Sequence, residues 1–228
     1  MSGFNSMFFS SAVTVFAFLF GCAVQRRFKS PLLNPMIFGI FISIGAISFF
    51  KIDYAEYAKD TAFISFLLTP ATVCLALPLY EQFELLKKNW LPVLAAIISG
   101  VLANGIFIFA AALLFKLGRY DYVSLLPKSI TTPIGIAVSS QLSACVPLTV
   151  AGICVTGITG NMFGKEFCKL CGINNPIAKG VAMGTASHVI GTAKAMEMGE
   201  VEGAFSSLSL IVTGIISVGA INLFAKLM

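Results

Sequence analysis

"MGTASHVIGTAKAMEMGEVEGA", residues 183–204, holds the chain's single histidine, His188, together with Lys194 and the acids Glu197, Glu200 and Glu202. Its first half is Gly, Ala, Ser and Thr, including Thr185, Ser187 and Thr192. The chain around it is 57% hydrophobic and 11% charged over 228 residues, with mean hydropathy +0.93. A soluble domain carries about 25% charged residues, so too few polar groups remain here to cover a water-facing surface. Lipid admits only helices and closed barrels, because backbone amides find no water there. The apolar runs are long and continuous rather than ten-residue alternations. The sequence therefore reads as an all-α integral membrane protein, and 183–204 reads as a polar stretch inside a span.

Eight hydrophobic segments follow along the chain: 4–24, 32–50, 61–80, 90–115, a short polar 127–142, 146–163, 176–197 and 204–227. The first is read as a retained helix, since it lacks a basic leader and a clean cleavage site. Three segments carry helix breakers or small polar residues: Pro70 and Pro78 in the third, Pro133 and Gly135 in the fifth, Gly180, Gly184 and Gly191 in the seventh, where Gly180 and Gly184 also form a small-xxx-small pair that lets another helix approach closely. An interior proline frees backbone groups that lipid cannot satisfy, so such breaks imply burial in protein or the lining of a cavity. Segments two to four and six to eight repeat at offsets of 114, 115 and 114 residues, with the broken member central in each triplet. This pattern predicts one transmembrane domain over 1–228 with repeats 32–115 and 146–227, built from discontinuous helices. Lys and Arg placement orients the triplets oppositely if segment five dips in and returns, although Lys116, Arg119 and Lys128 then fall outside.

The scattered fifteen Lys and Arg of the +5 chain suit topology signals rather than nucleic acid. Cys168 and Cys171 have CxxC spacing but no second pair, so no metal or cofactor is implied. No GxSxG, HExxH or P-loop is present, so no enzyme is expected. An ionisable residue inside a span is a candidate functional group, because it is costly there. Thr185, His188 and Thr192 recur at one helical face, with Lys194 as a fixed charge; the bland alternative has His188 bonded to a carbonyl and Lys194 snorkelling. Together the set suits a small anion, with His188 able to relay a proton and Glu202 a second proton-coupling candidate. Thr69, Pro70 and Thr72 in segment three would offer half-helix N-termini to the same anion. Lys128, Ser129, Thr131 and Thr132 ahead of Pro133 would offer donors, where helix capping needs only one of them.

The blocks "NPMIFGI" (34–40), "LLTPATVCLALPLYEQ" (67–82), "LPKSITTPIGIAVSSQLS" (126–143), "ITGNMFG" (158–164) and 177–210 resemble the LrgB/CidB membrane protein family over nearly the whole chain. The resemblance adds Asn34 to the site residues. It implies an antiholin-like or murein-hydrolase-regulating role in the bacterial inner membrane. It also implies transport of small carboxylates, through the membrane half of the plastid glycolate/glycerate translocator, and a small LrgA/CidA-type partner. The expected function is a proton-coupled carrier of a pyruvate-, lactate- or glycolate-like monocarboxylate, working as an elevator-type homodimer in lipid. The alternative is a holin-like regulator of lysis.

Overall fold

Helix packing in lipid cannot draw on the hydrophobic effect, so small residues and buried hydroxyls must bring helices together. The computed structural model, which describes residues 6–28, 34–67, 70, 73–74 and 76–228, follows that rule. Among the described residues every regular element is helical. The order is α1 (Ser6–Phe28), α2 (Pro35–Phe50), α3 (Tyr54–Asp60), α4 (Ala62–Phe66), α5 (Ala76–Glu81), α6 (Phe83–Phe115), α7 (Arg119–Leu125), a 3-10 turn (Leu126–Ser129), α8 (Thr132–Gln141), α9 (Val146–Leu170), α10 (Pro176–Met198) and α11 (Glu200–Phe224). Among the described residues four helices are long and apolar enough to cross a membrane: Phe8–Phe28 within α1, α6, α9 and α11. The chain divides into two units, 1–74 and 75–228.

In the first unit α1 packs on α2 and α3. Asn34 caps α2, its side-chain oxygen accepting the Met36 N–H at 2.8 Å, and Pro35 opens the helix with its φ preset. Ser10 donates to Asp60 at 2.9 Å, tying the end of α3 to α1. Thr69 and Thr72 lie outside the described residues; Pro70 is exposed. Pro78 falls inside α5.

In the second unit α6, α10 and α11 share a core of Val93, Ile97, Val101, Val181 and Phe205. The α10–α11 hairpin is the most intimate contact. A Cβ on Gly184 would stand 2.2 Å from the Ser206 carbonyl oxygen, and one on Gly180 would stand 2.5 Å from that of Glu202. This is the close approach that the small-xxx-small spacing of Gly180 and Gly184 predicts: their missing side chains let two backbones touch. A second core gathers Tyr122, Leu126, Val138 and Ile221 where α7 and α8 meet the end of α11.

Segment five is a stack of short pieces rather than one helix with a proline at its middle. The chain turns extended at Ile130 and Thr131, and Pro133 sits in the first turn of α8, where its absent N–H costs nothing. The ten residues of α8 span roughly 15 Å, half a bilayer core. A buried chain of hydroxyls fastens these pieces to α9: Ser139 to Thr149 at 2.6 Å, Thr149 to the Ser124 carbonyl at 2.7 Å. Arg119, awkward for the charge pattern, closes the C-terminal end of α11 by donating to the carbonyls of Ala225, at 2.9 Å, and of Met228. That is where a cation complements the helix dipole.

Candidate functional site

The polar stretch that opened the reading folds as a jointed helix. Asn175 caps α10 by accepting from Ile177 and Ala178, and Pro176 starts it. Helical geometry then fails at Ser187 (φ −128°, ψ 17°) and His188 (φ 43°, ψ −140°) and resumes to Met198. A positive φ at a side-chain-bearing residue stores on the order of 1–3 kcal/mol, which the surroundings must hold in place. They do so through three fixed points. The His188 ring, 3% exposed, donates Nε2–H to the Ile153 carbonyl of α9 at 3.0 Å. Thr192 donates to the His188 carbonyl at 2.9 Å and exchanges a hydrogen bond with Ser206 of α11 at 2.9 Å. Asn161 of α9 donates to the Ile190 carbonyl at 3.1 Å.

Helix α9 is carved to receive this joint. A Cβ on Gly157 would lie 2.7 Å from the His188 ring, one on Gly160 1.8 Å from the Ser187 hydroxyl, and one on Gly164 2.4 Å from the Met183 sulfur. The glycines of "TGITGNMFG" thus make a trough for α10, a role its spacing alone did not disclose.

The break also corrects the shared-face reading of segment seven. A continuous helix would align Thr185, His188 and Thr192. With the axis interrupted between them, the Thr185 side chain lies against α6 at Gly100, His188 turns to α9 and Thr192 to α11.

Between α6, α9 and the first half of α10 lies a hollow of about 1250 Å³. Its polar lining includes Asn89, Asn104, Lys128, Ser129, Thr185 and Ser187, and among the described residues no carboxylate lines it. The Thr185 hydroxyl is buried and has no hydrogen-bond partner. At one place the polar groups are wired together. Asn104 donates to the Leu126 carbonyl at 3.1 Å, which fixes its amide; Ser129 donates to the Asn104 side-chain oxygen at 3.2 Å; Lys128 donates to Ser129 at 3.4 Å. The Lys128 ammonium also stands 5.9 Å from the centroid of the Phe107 ring. Among the described residues the ion pairs are Lys87 with Glu84 and Lys194 with Glu197, so Lys128 has no acidic partner.

Of the residues singled out from sequence, the hollow gathers Lys128, Ser129, Thr185 and Ser187. His188 and Thr192 are buried behind its wall. Lys194 is taken up by Glu197 at 2.7 Å, which serves the snorkelling alternative. Thr131 stands at the N-cap position of α8 without a side-chain capping bond and Thr132 begins the helix, both outside the lining. Glu202 sits in the first turn of α11, its carboxylate against Gly199. Asn34 and Pro70 belong to the other unit. Asn104 was missed, although an amide in the middle of the apolar run "VLANGIFIF" is itself the signal of a costly, purposeful group.

The strain at His188 yields a prediction. His188→Gly is expected to melt above His188→Ala by a few degrees, about 1 kcal/mol, because only glycine takes this φ freely. Both lose the Ile153 bond, so thermal unfolding of the two variants isolates the backbone contribution.

No solved structure matches the chain. Its sequence is 37% identical to holin-like protein CidB of Staphylococcus aureus (strain Mu50 / ATCC 700699) and 34% identical to that of Staphylococcus epidermidis (strain ATCC 12228 / FDA PCI 1200), over 90% of each chain. It is 33% identical to antiholin-like protein LrgB of Bacillus subtilis (strain 168), over 100% of this chain and 99% of the relative. The LrgB-like family profile matches residues 14–227. With its membrane-length helices, the chain is a multi-pass bacterial membrane protein, and it belongs to the LrgB-like family.

Proposed function

We propose that the chain is a non-enzymatic protein that controls solute passage across the bacterial membrane, and that its hollow takes a small monocarboxylate together with a proton. The observation that carries the solute class is the hollow itself: among the described residues it has one ammonium without an acidic partner, an unpartnered threonine hydroxyl, and no carboxylate on the wall. A negative solute supplies what that lining lacks. The jointed α10 supports passage rather than static binding, since broken helices at a midplane site are the usual device of carriers. His188 and Glu202 are the candidate proton groups. The assembly in this reading is a homodimer, each chain with repeats 32–115 and 146–227, beside a small LrgA/CidA-type membrane protein.

A second reading is favoured more directly by the relatives' names, "holin-like" and "antiholin-like": regulation of murein hydrolase export and lysis, without a specific solute. One experiment separates the two. Purified chain in proteoliposomes is expected to take up labelled pyruvate, lactate or glycolate with saturation, faster with an inward proton gradient. His188→Ala combined with Lys194→Ala should alter the pH response. Leakage of a trapped dye without any saturable uptake would give the field to the holin-like reading.

A further inference from the structure

The hollow is much larger than a three-carbon acid and is long rather than round. Its wall on α6 runs from Asn89 to Phe107, roughly 27 Å at the helical rise. The wired cation stands by the far end of that wall, where Lys128 and Ser129 join Asn104 and face Phe107. Much of the remaining length is apolar, with Val93, Ala96, Phe163, Phe167 and Ile177 among the lining. Apolar length of this kind gives little to a short hydrophilic acid but gains from every methylene laid along it. Ligand sites normally occupy about 300–1,000 Å³, so this volume suits a solute with a tail.

The geometry points to a free medium-chain carboxylate as an occupant, its head on Lys128 and its alkyl chain along α6 and α9. This extends the reading of the hollow as an anion site, and it changes which anions the protein prefers. Affinity should climb with chain length, about fourfold per buried methylene, from acetate until the hollow is full.

The test is a length series of acetate, butanoate, hexanoate, octanoate and decanoate, titrated against the full chain in phosphatidylcholine nanodiscs, with empty nanodiscs as the blank. The expected result is a steep rise in affinity with chain length, which Lys128→Met shifts to weaker binding by at least tenfold at every length while keeping its slope. Ala96→Phe, at an exposed position lining the hollow, should cap the rise at a shorter chain. Circular dichroism and elution volume confirm that each variant folds. A flat series, or affinities that Lys128→Met leaves unchanged, overturns the inference. So does displacement of decanoate by phosphatidylglycerol at equal concentration, which would make the site a lipid's. Uptake of short acids measured in parallel keeps the two claims apart. A flat series with saturable pyruvate uptake sinks the tail and leaves the carrier, whereas a steep series without uptake does the reverse.

Discussion

Gly184→Val should leave little folded protein. The position lies on α10 where a lone Cβ would come within 2.2 Å of the Ser206 carbonyl oxygen and 2.9 Å of its carbon. The obstacle is backbone, so no rotamer change relieves it; the α10–α11 hairpin must separate. Overpacking of this kind costs about 3 kcal/mol or more, a fall in melting temperature of roughly 6–12 °C for a chain of this size. Separation would also stretch the Thr192–Ser206 bond that steadies the joint. Gly219→Ala, also a helix interior glycine, is the counterpart: nothing lies within 4 Å of its Cβ, so it should stabilise by about 0.5–1 kcal/mol through helix propensity. Thermal unfolding in one detergent measures both. Equal effects at the two positions would mean that α10 and α11 do not meet as described.

The second large effect belongs to Lys128. Its methionine variant retains length and apolar bulk but removes the one cation of the wired group. A hydrogen bond to a charged partner contributes about 1.5–3 kcal/mol, so half-saturation for carboxylate uptake should rise about 10- to 150-fold. The melting temperature without ligand should barely move, because no carboxylate is left stranded. The increase in melting temperature that ligand gives the native chain should disappear. Lys128→Arg should fall between, since a planar fork replaces a compact ammonium already directed by Ser129. Asn104→Leu should weaken uptake by a smaller factor, because it frees Ser129 rather than deleting the charge. An unchanged half-saturation in Lys128→Met would remove the hollow from the transport path.

How much of this was written in the sequence differs from one element to the next. The helical membrane class followed from composition, because lipid leaves so few ways to satisfy a backbone. The unusual character of α10 was legible in a lone histidine among small residues. The location of its break was not: the small-xxx-small spacing of Gly180 and Gly184 announced the contact with another helix, but nothing local singled out Ser187 and His188, where the helix gives way. That choice depends on Ile153, Asn161 and Ser206, which stand 35, 29 and 14 residues away from their partners. Periodicity is blind to such distances. Pro133 marked a helix start rather than an interruption for a related reason, since local rules permit both and the packing of α8 on α9 selects one. Lys128 and Ser129 were visible as a polar cluster, but Asn104, which orients them, is 25 residues from Ser129 and on another helix.

The two sides of the hollow differ in stiffness. On one side α6 runs 33 residues with its proline, Pro92, in the first third, and beyond Pro92 it is a rail of roughly 35 Å; across from it α10 has an elbow at His188. A container with one rigid flank and one articulated flank can change its capacity by bending only the second. Whatever enters the space and whatever moves the elbow therefore communicate through a single rotation, and a restraint between α9 and the last turns of α10 would freeze the contents without touching them.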